Sequence, residues 1–344
     1  MRRITSSALI GLGAFLIVAA VLVRFYAYPS IAVTPTNYSS DTSLEVKGAT
    51  IFDAATLAPI TVDLSINSYT IADSSADAPD GFTVWVNRSS ITRDDIEGAT
   101  CDASVDPAKP GCFQQASDRA PLDSDTGAAA SEDQCPGCGS TSDESFIDGD
   151  QYSTRSVDVP REGQVYKMPF NTQKKDIEWW DSSIRQATTM EYIGEENVNG
   201  LDTYKFVQVI DPTDIGDQDL PGSVFGVADA TVTADLVYAM TRTLWIEPVT
   251  GSPVMRTEVR NQVFEYDDIQ VPAFVGTIRY TDDQVDEFVS DGKSQGFLLG
   301  GMRLLFPVSG LLLGLLAIAG GIVLSRGGKR PEHQATDDRT LISA

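Results

Sequence analysis

The chain has 344 residues, 42% of them hydrophobic, and carries 49 acidic against 25 basic side chains, a formal charge of −24. That balance excludes a nucleic-acid partner, because a phosphate backbone would be repelled, and it argues against strong attraction to anionic lipid headgroups. A well-solvated secreted surface accounts for the charge, with divalent-cation or polycation binding as the sharper alternative.

Residues 4–23, ITSSALIGLGAFLIVAAVLV, hold no charge and are flanked by Arg2, Arg3 and Arg24. The run is about long enough to cross ~30 Å of hydrocarbon as a helix. It is long for a signal-peptide core and lacks a small-x-small cleavage site before Tyr28-Pro29, so an uncleaved anchor over 4–24 is expected.

Beyond it, ITVDLSINSYTIA (60–72) and GFTVWVNRS (81–89) alternate with the period of two of half-buried strands. The texture then changes. Residues 99–150 are rich in Asp, Ser, Gly, Pro and Ala and poor in aromatics, which predicts a long mobile loop. All four cysteines lie there, and an even count in an oxidising compartment implies two disulfides. Three connectivities exist; local pairing, Cys101–Cys112 and Cys135–Cys138, is the first choice. Cys135-Pro-Gly-Cys138 also matches the redox CxxC pattern, but no helical pattern follows it to lower a thiol pKa, so a structural bridge is favoured.

Strand texture returns near residue 151, with strands expected at 152–159, 164–169, 188–193, 203–210, 233–240, 242–247, 254–266 and 274–280. LWIEPVTGSPV (244–254) reads as a hairpin about a Pro-Val-Thr-Gly turn. Within this region MPFNTQKKDIEWWDSSI (168–184) holds two of the four tryptophans. Strand neighbours face opposite ways, so Trp179 and Trp180 cannot both enter one core; one of them is free to line a second, ligand-facing surface. A packed strand and turn is the plainer reading, and an interfacial aromatic belt the weakest.

TDDQVDEFV (281–289) has helical period and leads through SDGKSQG into a second uncharged run, LLFPVSGLLLGLLAIAGGIVL (304–324), followed by Arg326, Lys329 and Arg330. A second span over 297–325 follows. Gly310, Gly314, Gly320 and Gly321 suit close approach of another helix. Positive clusters at both ends place 1–3 and the tail 326–344 in the cytoplasm. Eight of the 25 bases and three of the 49 acids lie outside 25–296, leaving that domain 17 bases, 46 acids and a net −29.

Catalytic patterns are weak. The single histidine, His333, falls in the expected cytoplasmic tail, which excludes Ser-His-Asp, Cys-His and HExxH sites from the main domain. Gly292-Lys-Ser-Gln-Gly296 matches GxSxG, but in an expected short linker rather than a strand-to-helix elbow, with no histidine partner. The acid clusters DSDTG (123–127) and DPTDIGDQD (211–219) complete no calcium loop. No cofactor and no metal is expected.

VYKMPFNTQKKDIEWWDSSI, YIGEENVNGLDTYKFVQVI, DLPGS and VTADLVYAMTRTLWIEPVTGSPV, in that order, resemble an actinobacterial membrane-protein family labelled PorA-family porin. The likeness covers most of the chain, from the YPS segment after the first anchor to the C-terminal anchor, with the cysteine region matching least. The label implies a pore. It supplies no catalytic residues. The hairpin at 244–254 also resembles the W-x-D-x-x-T-G-x-P hairpin of periplasmic lipoprotein-carrier folds, half-barrels that hold acyl chains, with Glu247 at the aspartate position.

The expectation is therefore a mainly β (α+β) protein: an antiparallel, β-rich extracytoplasmic domain (25–296), half-barrel in type, between two transmembrane helices. It is non-enzymatic and works in the cell envelope. It binds a lipid, glycolipid or partner protein through Trp179, Trp180, Phe170 and Trp245, contacts membrane lipids through its helices, and admits a homo-oligomer. A porin-like channel component and a carboxylate-pair hydrolase are the alternatives.

Overall fold

The computed structural model describes residues 2–101, 111–148 and 151–326. The helices are α1 (Arg2–Leu22), α2 (Tyr28–Ile31), α3 (Asp282–Gly300) and α4 (Phe306–Arg326), with π turns at Val23–Ala27 and Gly301–Leu305. Two compact units result, one helical and built from both chain ends (1–31 and 300–344), the other spanning 32–299.

In the helical unit α1 lies against α4. A Cβ built on Gly314 would stand 2.8 Å from the Gly13 carbonyl oxygen, and one on Gly310 3.1 Å from the Ala20 Cβ. Ser6 donates to the Gly321 carbonyl at 2.7 Å. The small-residue face is thus occupied by the chain's own first helix, whose backbone approaches as such faces allow; of the four α4 glycines at 310, 314, 320 and 321, Gly320 meets nothing within 4 Å. Both helical segments, Ile4–Ile31 and Asp282–Arg326, contain stretches long and apolar enough to span a membrane.

The second unit is one antiparallel sheet of twelve strands. In chain order these are β1 (Ser39–Asp53), β2 (Ala58–Ala72), β3 (Phe82–Arg93), β4 (Cys112–Asp123), β5 (Thr141–Asp148) and β6 (Gln151–Asp158). Then follow β7 (Ile177–Asp181), β8 (Gln186–Val198), β9 (Leu201–Leu220), β10 (Val232–Ile246), β11 (Pro253–Tyr266) and β12 (Ile269–Tyr280). The order across the sheet is β6-β5-β4-β3-β2-β1-β12-β11-β10-β9-β8-β7. Every neighbour except the β1–β12 pair is also a sequence neighbour, so two meanders meet at β1 and β12.

The ladder is open, yet isolated bridges stitch its β4 side to β7: Leu122 to Ala129, Ala128 to Gln164, and Gln164 to Trp179. Gln164 N–H donates to the Glu178 carbonyl and Trp180 N–H to the Gln164 carbonyl, each at 2.8 Å. These bonds roll the sheet about an interior. Inward positions along β1, β2 and β12 (Val46, Leu64, Phe274, Ile278) fill one part of it, and Phe206, Leu244 and Met190 another.

Several expectations change. Residues 99–150 are not one mobile loop: β4 pairs with β3 from Thr92–Cys112 to Phe82–Asp123, and β5 follows. Its Gln, Ser and Asp side chains hide the alternation, because several of them face a polar interior rather than an apolar one. Residues 102–110 and 149–150, which also belong to that expected loop, lie outside the described residues. The expected strand at 164–169 reduces to the bridge at Gln164; Tyr166 stacks beside Trp85, with ring centroids 6.0 Å apart. The pair 233–240 and 242–247 is a single strand, β10.

The helix expected at 281–289 continues to Gly300, across the boundary drawn at 296. GKSQG is therefore helical rather than a linker. A Cβ on Gly292 would stand 2.9 Å from the Leu201 side chain, and one on Gly296 2.9 Å from the Glu247 carboxylate. The two glycines, four apart, share one helix face and let α3 sit close on the β10–β11 hairpin. Helix packing explains the motif without any elbow.

Candidate functional site: an aromatic groove in the rolled sheet

The hairpin forms as expected. Glu247 takes the aspartate position of the carrier-type pattern and wraps its own turn. Its carboxylate accepts from the N–H groups of Val249 (3.0 Å) and Thr250 (2.7 Å) and from the Thr250 hydroxyl (2.7 Å). Gly251 has φ +75°, and a Cβ there would stand 2.1 Å from the Met168 carbonyl oxygen. Only glycine suits that conformation and approach. Segment 168–172 consequently docks along the turn, with Met168, Asn171 and Thr172 N–H groups donating to the Gly251, Val249 and Pro248 carbonyls.

This arrangement places the expected binding residues apart. Trp179 and Trp180 sit on β7 and are 6% and 5% exposed. Trp179 packs with Phe206 and Leu244 in the interior. Trp180 lies beneath Arg161, whose guanidinium is 5.8 Å from its ring centroid. The opposite orientation of the pair holds, but both faces are covered by the protein itself. Trp245 is buried in the cluster that includes Val285 and Val289 of α3. Phe170 alone borders a hollow, of about 270 Å³, with Met168, Ile177 and Phe206. The Lys167 amine stands 4.0 Å from the Phe170 ring centroid and donates to the Met168 carbonyl at 2.8 Å. Burial pushes this amine down to about 7, because desolvation penalises the charged form.

A larger groove, about 490 Å³, opens inside the rolled sheet. Its apolar wall comes from Phe52, Phe113, Phe264, Phe274, Ile215 and Leu236. Its polar wall includes Gln114, Ser117 and Asp118 of β4, Ser142 and Asp143 of β5, Ser182, Ser183 and Arg185 after β7, and Arg260 and Gln262 of β11. The two flanks of the sheet, β4–β5 and the β7–β8 turn, meet across it. Its volume falls within the roughly 300–1,000 Å³ of ordinary ligand sites.

A buried charge network forms one end of this interior. Arg242 pairs with Glu258, donates to Gln208 Oε1 at 2.5 Å and reaches Asp181 at 3.1 Å. Tyr238 O–H donates to Asp181 at 3.2 Å. Asp181 also accepts the N–H groups of Ser183 and Ile184, so the network fixes the turn that lines the groove. Burial opposes ionisation of Glu258, but Arg242 and Arg256 outweigh it and hold the carboxyl at about 2.

Of the two arginines in the groove wall, Arg185 is exposed and Arg260 is half-buried. The Arg260 guanidinium lies 5.4 Å from the Tyr238 ring centroid and 5.0 Å from that of Phe274. Nη2 donates to Gln262 at 2.7 Å. Nε is buried with no partner. Sequence reasoning missed this residue. The only signal was polar alternation in β11, where Arg256, Glu258, Arg260 and Gln262 share a face.

Both disulfides form as expected, Cys101–Cys112 and Cys135–Cys138. Cys135 and Cys138 are buried against Val84 and Ala130, which fits a structural bridge.

The sequence profile of the family described as Porin PorA matches residues 5–323. The chain belongs to that family. Relatives named Porin PorA include one from Corynebacterium amycolatum, 23% identical and covering 78% of this chain and 80% of its own length. Another, from Corynebacterium resistens, is also 23% identical and covers 73% and 75%. Membership, together with two apolar terminal helices, makes this a membrane-associated protein and supports a porin-like role.

Proposed function

We propose that the β unit is an extracytoplasmic binding module, held at the plasma membrane by both terminal helices, that takes an amphiphilic envelope lipid into the groove and catalyses no reaction. The aromatic groove carries this reading: four phenylalanines and a few convergent polar groups are the composition of a ligand site. Cytoplasmic placement of both termini follows from the arginine and lysine clusters flanking each apolar run. Photo-crosslinking of a diazirine-bearing lipid to the full chain in nanodiscs tests it. Labelled peptides from β4, β11 or β12 are expected; labelling confined to α1 and α4 overturns it.

The family name favours a second reading, a porin-like channel component. The outer faces of β8 and β9 carry exposed acids, among them Glu191, Glu195, Asp202, Asp211 and Asp219. Such a surface is incompatible with hydrocarbon. A pore built by α1 and α4 gathered from several copies is more compatible with that surface than one built by the sheet. Planar-bilayer recordings on the purified full chain decide this: stepwise conductance supports a channel, and silence at high protein concentration removes it.

A further inference from the structure

We infer that the groove selects a long-chain fatty carboxylate, and that Arg260 is the residue that recognises its headgroup; this rests on the binding reading above. The other described arginines of the β unit that are shielded from solvent have acids. Arg242 pairs with Asp181 and Glu258, Arg256 with Glu258, and Arg161 with Asp118. Arg119, beside them on β4, pairs with Asp73. Among the described residues Arg260 has no carboxylate within 4.0 Å, in a chain where acids outnumber bases 49 to 25. A guanidinium cannot shed its charge in a protein. A half-buried one without a counter-charge is a site for an anion.

The geometry prepares it for that. Two rings and Gln262 hold the guanidinium, so little side-chain freedom is lost when a planar carboxylate binds. Nε is buried and has no acceptor inside the fold, while the residue lines the groove; a carboxylate meets a guanidinium fork in two parallel bonds. Phe52, Phe113, Phe264 and Phe274 line the same groove and receive a hydrocarbon chain. The acids there favour a singly charged head over a phosphate monoester. Asp118 is already satisfied by Arg161, and Asp143 takes a hydrogen bond from Ser156; both repel a second negative charge.

The test uses the full chain in nanodiscs of zwitterionic lipid, with diazirine-bearing palmitic acid and the matching diazirine-bearing alcohol as probes. The acid is expected to label β11 and β12 peptides. Unlabelled palmitate should compete, while hexadecyl phosphate and hexadecanol compete about tenfold less well, since a charge-assisted bidentate pair is at stake. Arg260→Gln should reduce acid labelling about tenfold and leave alcohol labelling intact, and Arg260→Lys should fall between. Equal competition by palmitate and hexadecanol in the unaltered chain overturns the assignment without any variant, while leaving the groove as a lipid site. Stronger competition by hexadecyl phosphate makes the ligand a phosphate amphiphile and also overturns it. No groove labelling by either probe removes the binding reading underneath.

Discussion

Arg242 and Arg260 stand on adjacent strands and face the same interior, yet their surroundings are opposite. Arg242 is enclosed by Asp181, Glu258 and Gln208. Arg260 is enclosed by two aromatic rings and a single amide, with its Nε–H buried and unpartnered. The first cation is spent inside the fold: it ties β7, β9, β10 and β11 together. The second remains chemically unsatisfied at the edge of a cavity. A compensated buried charge is scaffolding, whereas an uncompensated one points to something that arrives later.

The largest expected effect breaks the scaffold side of the comparison. Glu258→Gln leaves Arg242 short of a counter-charge and should cost about 3–5 kcal/mol, as removal of one partner of a buried pair does; urea denaturation of the full chain in detergent measures it. The acid limb should change with it. Glu258 is held at about 2 in the fold, below its ordinary value. Its stabilisation is present above the unfolded carboxyl value of about 4.3 and is lost as pH falls toward 2. A loss of stability between those values that is as steep in the Gln variant as in the original chain would contradict this.

Lys167 sharpens the comparison from another side. It too is buried without a carboxylate among the described residues, but an amine, unlike a guanidinium, can neutralise. With its pKa lowered to about 7, the cost of burying its charge is full below that value. The cost fades as pH rises toward the unfolded value near 10.4. Lys167→Met should therefore stabilise the protein by about 3 kcal/mol at pH 6, with the gain vanishing near pH 10. Melting temperatures at the two pH values check the sign.

Asp73 and Arg119 supply a half-exposed control. Hydrogen bonds from Ser75 and then Arg119 hold the Asp73 carboxyl at about 2. Solvent reaches both side chains, so Asp73→Asn should cost only about 1 kcal/mol, and that contribution disappears as pH falls from about 4 toward 2. Arg260→Gln should have the smallest effect, within about 1 kcal/mol, since only ring contacts and one hydrogen bond are lost. A cost like that of Glu258→Gln would make Arg260 part of the scaffold and erase the distinction.

Much of the fold was legible. Apolar runs without charge announce the terminal helices, because a span needs only length and composition. The Pro-Val-Thr-Gly turn announces the hairpin, because its signals are local. Cysteines spaced eleven and three residues apart announce their own pairing for the same reason. Strand β4 was hidden, since Gln114 and Asp118 face a polar interior and Ser117 the opposite side, so that polar residues on both faces imitate a loop. Aromatic content by itself does not reveal what covers a tryptophan: Arg161 lies over Trp180, and α3 residues cluster with Trp245.

The sequence by itself determined the two apolar ends, the acidic β-rich middle, the hairpin and the disulfides, all consequences of composition, period or short spacing. Only the tertiary structure decided which polar side chains are compensated. Arg242 meets Asp181 across 61 positions of chain, and the groove gathers residues from Phe52 to Phe274. Pairing between distant charges depends on strand order and on the roll of the sheet, and neither is written in any local pattern.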